Sequence, residues 1–132
     1  MAFKIEKLKV WWISMELSVE IHELTKQFPR DELYILTSQI KRAADSVTLN
    51  ITEASTLQSN VEFKRFLIYA NRSPLEVVGC LYIGKKRNPL TDSDFERLYH
   101  AYDKLVTMIQ ALIKSLTVGH LPLTVDRRLY LR

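Results

Sequence analysis

The feature that most constrains the fold is the stretch from Leu33 to Ala54, which has two rows of opposite character. Apolar side chains recur there at steps of three and four residues, a spacing that places them on one side of an α-helix. Polar side chains follow the same steps along a neighbouring line, which we call the polar seam. The pattern predicts an amphipathic helix whose polar seam is either solvated or hydrogen-bonded to another helix. The apolar row consists of Leu33, Leu36, Ile40, Ala43, Val47 and Ile51, and the polar seam of Gln39, Arg42, Ser46, Asn50 and Glu53.

The composition favours an all-α protein of one domain. The 132 residues include only 3 glycines and 4 prolines, whereas β-sandwiches and barrels need many turn residues. A hydrophobic content of 47% and a charged content of 26% indicate a globular chain with one core. The single cysteine, Cys80, cannot form an internal disulfide and no signal-peptide pattern opens the chain, so we expect a cytoplasmic location. No apolar run approaches the roughly 20 residues that span a bilayer, so we expect no membrane partner.

Local signals divide the chain into four helices. Phe28-Pro29 ends the first, the capping-box sequence Ser59-Asn60-Val61-Glu62 begins the third, and Thr91 caps the fourth. Pro74 lies inside the third helix and removes one backbone hydrogen bond, so we predict a kinked helix there rather than a break. Similar lengths and short connections favour an antiparallel up-and-down four-helix bundle over residues 1–119. The predicted helices cover about residues 5–27, 31–56, 60–87 and 92–117.

Two further apolar rows predict the rest of the core. Both have the alternating steps of three and four residues that are typical of bundle helices. The segment 120–132 follows them as a C-terminal extension, and its LPLTV stretch alternates apolar residues around a proline, which favours an extended tail over a fifth helix. The rows are Phe63, Leu67, Ala70, Pro74, Val77, Leu81 and Gly84 in the third helix, and Phe95, Leu98, Tyr102, Leu105, Ile109, Leu112 and Leu116 in the fourth.

The first predicted helix has two apolar lines, whereas a bundle helix exposed on its outer side needs only one. Adjacent residues point about 100° apart on a helix, so one core row is not expected to bury both Trp11 and Trp12. The second line is therefore a candidate for contact with another subunit, unless the C-terminal extension covers it. The lines are Leu8, Trp12, Met15 and Val19, and Val10, Ile13, Leu17, Ile21, Leu24 and Phe28. The predicted interface of a homo-oligomer comprises Trp11, Trp12, Ile13, Gln39, Arg42, Asn50 and Glu53.

The net charge of +4 raises the alternative of a nucleic-acid partner. Residues from 118 onward account for +2 of it, so the bundle itself is close to neutral. Arg65, Arg72 and Lys86 project from one side of the third helix, and an oligomeric ring would repeat this stripe in every subunit. The alternative is a solvated face with paired acids, Glu76 being the obvious partner of Arg72, and the small net charge favours it. The candidate nucleic-acid residues are Lys41, Lys64, Arg65, Arg72 and Lys86.

The sequence predicts no catalytic, cofactor or metal site. His22, His100 and His120 are far apart and lack the i, i+4 spacing that would offer two metal ligands on one helix face. Cys80 falls beside the apolar row of the third helix, where a buried small hydrophobe is expected. The chain has neither a glycine-rich phosphate loop nor a Gly-x-Ser-x-Gly elbow. We therefore expect a protein that is not an enzyme.

Three sequence words carry a family resemblance: SQIKRAADSVTLNITEA, the following EFKRFL and the upstream VWWISMELSVEIHELTKQFP. Together they resemble the small bacterial four-helix-bundle proteins encoded within 23S ribosomal RNA intervening sequences, over roughly residues 5–117. The resemblance implies an up-and-down bundle that assembles into a ring, a pentamer in known members, without established enzymatic activity. A more distantly similar protein, the accessory protein of diversity-generating retroelements, works with a reverse transcriptase and RNA, and this implies RNA as the alternative partner.

The chain departs from the family pattern after Asn50-Ile51. The family usually reads Ala-Glu-Gly there, followed by a second glycine and a basic pair, whereas this chain has Thr52-Glu53-Ala54 followed by Thr56, Leu57 and Gln58. The turn therefore lacks both the glycines and the positive charge. If the family binds nucleic acid through this turn, this member has lost part of the contact.

Overall fold

Five α-helices build the fold within residues 3–117, the part of the chain that the computed structural model describes. Short 3-10 turns at Lys4–Lys7, Thr25–Gln27 and Arg30–Glu32 and a π-helical turn at Leu33–Thr37 connect or extend them. The all-α class predicted from the sequence is confirmed, and the predicted C-terminal tail lies outside the described residues. The helices are α1 (Lys9–Leu24), α2 (Ser38–Ala54), α3 (Asn60–Ala70), α4 (Arg72–Arg87) and α5 (Asp92–Thr117).

Together α3 and α4 form the third arm of a four-helix bundle. Helix α1 packs against α2 and α5, and the α3–α4 arm packs against the same two helices, so α1 and the α3–α4 arm occupy opposite corners. Trp11 contacts Thr52 while Ser18 contacts Asp45, which shows that α1 and α2 run antiparallel. The arrangement is that of an up-and-down bundle.

The predicted apolar rows of the third and fourth helices are confirmed as the core. All seven residues from Phe63 to Gly84 in the first row and all seven from Phe95 to Leu116 in the second are buried. Gly84 lets the end of α4 approach the following turn, because a Cβ atom there would lie 3.3 Å from Leu90 Cβ. The two rows therefore pack against each other on neighbouring arms of the bundle, where α3 and α4 contact α5.

The π-helical turn corrects the prediction for the start of α2. A π turn holds more residues than an α turn, so the residues before it are rotated out of the apolar row that follows. Leu33 is 43% exposed, and Tyr34 and Ile35 are exposed beside it. The prediction that Leu33 joins the buried row is wrong, whereas the rest of that row is buried: Leu36, Ile40, Ala43, Val47 and Ile51.

The third predicted helix is interrupted at Asn71, which separates α3 from α4. The predicted single kinked helix is therefore replaced by two helices, and the interruption lies before Pro74 rather than at it. The cause is the one that predicted the kink: Pro74 has no N–H to donate to the Ala70 carbonyl, and its ring clashes with that carbonyl. The interruption lies about one turn ahead of the proline, where Asn71 has φ −71° and ψ −2°.

The first helix is α-helical only in its middle. Leu8 has extended backbone angles (φ −97°, ψ 112°) that separate the turn Lys4–Lys7 from α1, and the last turn tightens into the 3-10 turn Thr25–Gln27. Phe28 is extended (φ −69°, ψ 148°) directly before Pro29, as the steric effect of proline predicts. The predicted end of the helix at Phe28-Pro29 is thus confirmed.

Two predicted helix caps and one ion pair fix the remaining connections. Ser59 Oγ accepts from the backbone N–H of Glu62 at 3.1 Å, and Thr91 Oγ1 accepts from that of Asp94 at 3.1 Å. Glu32, which is buried, accepts from Arg87 Nη1 at 2.9 and 3.1 Å. This ion pair ties the turn before α2 to the C-terminal end of α4.

Candidate interaction surface

A ladder of polar contacts joins α1 to α2. The indole N–H of Trp11 donates to Thr52 Oγ1 at 2.8 Å, and the Ser14 and Thr48 hydroxyls lie 2.9 Å apart. Ser14 is buried and Trp11 is half-buried against the core. Trp11, a predicted interface residue, is therefore held within its own bundle by both packing and a hydrogen bond.

Asp45 continues the ladder by accepting from two side chains of α1. Ser18 donates to Asp45 Oδ1, and His22 Nε2 lies 3.0 Å from the same oxygen. Ser18 is buried, whereas the His22 and Asp45 side chains are 39% and 47% exposed. The cluster acts as a helix-to-helix contact whose outer edge reaches solvent.

The sequence interpretation missed this ladder, although a signal for it was present. Small polar residues occur in α2 at the same steps of three and four that revealed the apolar row. In α1 they lie between the two apolar lines and were overlooked because neither line includes them. The ladder residues are Trp11, Ser14, Ser18 and His22 in α1, and Asp45, Thr48 and Thr52 in α2.

The polar seam of α2 is a hydrogen-bonded contact with α4. Gln39 Nε2 donates to Glu76 Oε1 at 3.1 Å, and Arg42 Nη2 donates to Gln39 Oε1 at 2.6 Å. Asn50 Nδ2 lies 3.3 Å from Ser73 Oγ and 3.1 Å from Ser46 Oγ. The sequence left open whether the polar seam is solvated or hydrogen-bonded to another helix, and the structure shows the hydrogen bonds to α4.

The other end of the polar seam opens into a small groove between α2 and α3. Asn50 and Glu53 line it from α2, and Arg65, Phe66 and Tyr69 line it from α3, around a volume of about 450 Å³. The structure thus brings two predicted interface residues beside Arg65, which was predicted for nucleic acid. The two predicted sets meet along the boundary between α2 and the α3–α4 arm.

A larger open groove of about 720 Å³ runs along the outside of α2. His22 and Asp45 line one part of it, and the exposed Tyr34 and Leu49 line another. Lys41, a candidate nucleic-acid residue, also lines this groove. None of the α3–α4 cations with which Lys41 was grouped lines this groove.

The outward side of α1 has a short alternating row, which we call the α1 outer face: Trp12, Glu16, Val19 and Glu23. Its steps are four, three and four residues, and its apolar members alternate with acids. Val19 is 64% exposed, while Trp12 is half-buried with its N–H donating to the Glu6 carbonyl at 2.9 Å. The other line of the first helix is largely buried, and Ile13 packs against the core.

The α3–α4 arm presents a longer alternating row on its outward side, with every member exposed. We call this row the α3–α4 outer face. Its steps are again three and four residues, and apolar residues alternate with basic ones along most of it. The side chain of Lys64 is half-buried beside this row rather than in it. The face comprises Val61, Arg65, Ile68, Arg72, Leu75, Gly79, Ile83 and Lys86.

Gly79 lies in the middle of α4 and of this face. No atom lies within 4 Å of the position that a Cβ atom would take, so its own bundle does not require a glycine there. A glycine inside a helix costs about 1 kcal/mol relative to alanine. The surface beside Leu75 therefore has a bare stretch of helix backbone to which another element can approach closely.

The candidate cations of the α3–α4 arm have no carboxylate partner within the part of the chain that the structure describes. Glu76, the partner expected for Arg72, accepts from Gln39 instead. The Arg72 guanidinium lies 5.2 Å from the centroid of the Tyr69 ring, within cation–π distance. Among the described residues, these cations therefore do not form the ion pairs with acids that were the alternative expectation.

Charge is divided unevenly among the helices. The α3–α4 arm has six basic and two acidic side chains, whereas α1 has three acidic side chains and one basic one when His22 is neutral. The near-neutral sum noted from the sequence hides this separation. A positive arm and a negative helix occupy opposite corners of the bundle.

The described residues 3–117 include two histidines and one cysteine among their potentially reactive side chains. This part of the chain has no group of three or more His, Cys, Asp and Glu side chains that could hold a metal ion, and none of its helices is long and apolar enough to cross a membrane. Cys80 is 5% exposed; burial raises the pKa of its thiol, and the nearby Glu76 carboxylate raises it further. The Cys80 thiol is thus disfavoured as a nucleophile, as expected for a buried small hydrophobe.

Comparison with known proteins supplies a family and a fold. A family of sequences described as 23S rRNA-intervening sequence protein matches residues 6–111. The chain is also similar to a protein of unknown function from the S23 ribosomal protein family of Bacteroides thetaiotaomicron VPI-5482, whose crystal structure is known at 1.70 Å resolution. That likeness has a TM-score of 0.71 at 22% identity, covers 80% of this chain and 98% of the other, and shows the fold alone. No curated protein is detectably similar in sequence.

Proposed function

We propose that this chain, which belongs to the 23S rRNA-intervening sequence protein family, is a non-enzymatic helical module that assembles with copies of itself into a ring-like homo-oligomer. The match over residues 6–111 confirms the family resemblance identified from the sequence. The pentamer, the cytoplasmic location and the distant similarity to the retroelement accessory protein stay predictions. The proposed role is one of assembly and binding.

The exposed apolar row on the α3–α4 outer face is the observation that carries this proposal. Exposed apolar side chains that share one face and are edged by polar residues are typical of protein contacts. Leu75 is 63% exposed and Ile68 is 51% exposed, with Val61 and Ile83 further along the same row. A second copy of the chain would bury these side chains.

The use of the polar residues supports assembly over catalysis. Asp45 and His22 lie together, but Asp45 accepts from both Ser18 and His22 and so bridges two helices. A nucleophile is activated by an adjacent base that is itself oriented by a third group, and here the carboxylate occupies the central place instead of the imidazole. The cluster is suited to holding α1 and α2 together.

Native mass spectrometry on two leucine variants tests the proposal. Leu75 on α4 and Leu49 on α2 are matched, because they are 63% and 64% exposed. Leu75→Lys is expected to shift the protein from oligomer to monomer, whereas Leu49→Lys is expected to leave the oligomer intact. An oligomer that survives Leu75→Lys but not Leu49→Lys would place the contact on α2 and contradict the face chosen here.

Nucleic-acid binding is the second candidate function, and the unpaired cations of the α3–α4 arm favour it. Arg65, Arg72 and Lys86 lie along one exposed row without carboxylate partners in the described chain. Phosphate binders concentrate positive charge on one face in this way. The test is the 260/280 nm absorbance ratio of protein purified at low salt without nuclease. Retained nucleic acid that is lost in Arg65→Glu/Arg72→Glu, with the assembly unchanged, would favour this candidate.

A further inference from the structure

We infer that the contact between copies is head-to-tail: the α3–α4 outer face of one copy binds the α1 outer face of the next. The inference rests on the proposed self-assembly and names the partner surface within it. The occupant of the basic face is thus a second copy of this chain, recognised through its acidic helix. Nucleic acid and a two-fold contact between identical faces are the competing outcomes.

The two faces match in spacing and in charge. On α4 and α3 the row alternates apolar and basic residues, as in Ile68, Arg72 and Leu75, and on α1 it alternates apolar and acidic residues, as in Trp12, Glu16 and Val19. Both rows advance by three and four residues, so both stay on one side of a helix. When two such helices pack along their rows, apolar side chains can meet between oppositely charged pairs.

A contact between two identical α3–α4 outer faces is disfavoured by charge. In a two-fold contact residue i faces residue j and j faces i. An antiparallel pairing centred on Gly79 would place Arg72 against Lys86 of the other copy, since each lies seven residues from Gly79. Like charges in direct contact repel, and the row itself contains no acidic residue to offset them.

The placement of the faces allows each copy to use both at once. Helix α1 and the α3–α4 arm occupy opposite corners of the bundle, and neither packs directly on the other as a neighbouring arm. A copy whose α3–α4 outer face is occupied therefore keeps its own α1 outer face free for another copy. Contacts between different surfaces propagate from copy to copy, and they form a ring when the rotation between copies closes.

Gly79 supplies the room for close approach at the centre of the basic face. The open space around its Cβ position means that the helix backbone itself is accessible there. An apolar side chain from α1, such as Val19, can then lie against the backbone between Leu75 and Ile83. Such a close approach would explain the glycine at position 79, which lowers helix stability and which packing within its own bundle does not require.

The acidic face is only partly engaged within its own chain. Glu16 has no ion-pair partner among residues 3–117, and Glu23 pairs with Lys26 at 3.1 Å in a contact whose side chains are 71% and 72% exposed. Exposed pairs of this kind contribute little to stability. Glu16 is therefore the acid best placed to meet a cation of the next copy.

Cross-linking of single-cysteine variants tests the head-to-tail contact. In a Cys80→Ala background, Val19→Cys, Leu75→Cys and the double variant are treated with a short bismaleimide and separated on denaturing gels. Each single variant is expected to remain monomeric on the gel, while the double variant forms a ladder of two and more linked chains. Because Val19 and Leu75 lie on opposite corners of one bundle, every such link joins two copies.

A Val19→Cys/Leu49→Cys variant serves as the control, since Leu49 is as exposed as Leu75 but lies on α2; it should give no ladder. Dimers from Leu75→Cys alone would overturn the inference in favour of a two-fold contact. An assembled protein whose double variant gives no ladder would also overturn it, leaving self-assembly in place. A protein whose untreated native mass is that of a monomer would overturn the proposed self-assembly as well.

Discussion

Gln39 donates a hydrogen bond from Nε2 to Glu76 Oε1 across 3.1 Å, and this contact directs the Glu76 carboxylate toward α2. The sequence spacing predicted that Glu76 would neutralise Arg72, four residues before it. The carboxylate instead serves the contact between α2 and α4, and Arg72 lies over the Tyr69 ring. Arg72 is thus left without its expected carboxylate partner among the described residues, and an acid from outside the bundle can pair with it.

A large side chain at Gly79 should separate folding from assembly. Gly79→Ala is expected to raise the free energy of unfolding by about 1 kcal/mol through helix propensity, because the added methyl meets open space. Gly79→Trp should fold equally well in the monomer but prevent close approach of a second copy. Thermal unfolding by circular dichroism and mass by light scattering measure the two effects, and an assembled Gly79→Trp variant would count against the interface.

The effects of charge reversal at Arg72 and at Glu16 on assembly should compensate each other. Arg72→Glu alone places acid against acid in the head-to-tail contact, and Glu16→Arg alone places base against base, so each should weaken assembly at least tenfold. The double variant restores opposite charges in every contact, and we expect its assembly to return. The dissociation constant by analytical ultracentrifugation at low salt is the measurement, and a double variant weaker than either single one would exclude this pairing.

The bond between Trp11 and Thr52 should appear as coupling in stability rather than in assembly. Thr52→Val leaves the half-buried indole N–H without its acceptor, at a cost of about 1–3 kcal/mol. In a Trp11→Phe background the N–H is absent, so the same substitution should cost clearly less. Urea unfolding of the four proteins gives the coupling, and additive costs would show that the bond contributes nothing. We expect the native mass to be unchanged in all four.

Replacing Tyr102 with phenylalanine should stabilise the protein. The tyrosine is fully buried on α5, and its hydroxyl has no hydrogen-bond partner among the described residues. An unsatisfied buried polar group costs about 1–3 kcal/mol, so Tyr102→Phe should raise the free energy of unfolding by about 1 kcal/mol or more. Urea unfolding at pH 7 measures the change, and a loss of more than about 1 kcal/mol would indicate that the hydroxyl is bonded after all.

The same substitution should alter the response to alkali. Burial raises the pKa of Tyr102 above its ordinary value of 10.0, with smaller contributions from the Glu20 and Asp45 carboxylates. A tyrosine whose pKa is raised by folding contributes stability that is fully present below pH 10 and is lost as the pH rises beyond it. The advantage of Tyr102→Phe over the natural protein should therefore widen above pH 10, and an advantage that is constant with pH would contradict this assignment.

The core was predictable because its residues recur at the helical spacing of three and four residues. The rows that begin at Phe63 and Phe95 are buried in full, since burial selects apolar residues at every helical repeat. Leu33 breaks its row only because a π turn intervenes, and no residue pattern in that stretch signals a π turn. The interruption at Asn71 was predictable in cause from Pro74, but its position depends on where the backbone yields.

The surface was less predictable because its rows mix residue types. Ser14 and Thr48 form a partly buried polar contact, yet serine and threonine are also common on solvated faces. The outer faces were missed for the same reason, since an apolar residue such as Leu75 next to Arg72 fits neither an apolar row nor a basic stripe alone. Alternation of apolar and charged residues at helical spacing is the sequence signal that both faces share.

Native mass spectrometry of the natural protein, purified at low salt without nuclease, tests the central claim most directly. Self-assembly predicts one species at a discrete multiple of the 15.4 kDa chain mass, without additional mass from nucleic acid. A single species at 15.4 kDa across micromolar concentrations would contradict the account. An assembled species with bound RNA would instead assign the cations of the α3–α4 arm to nucleic acid.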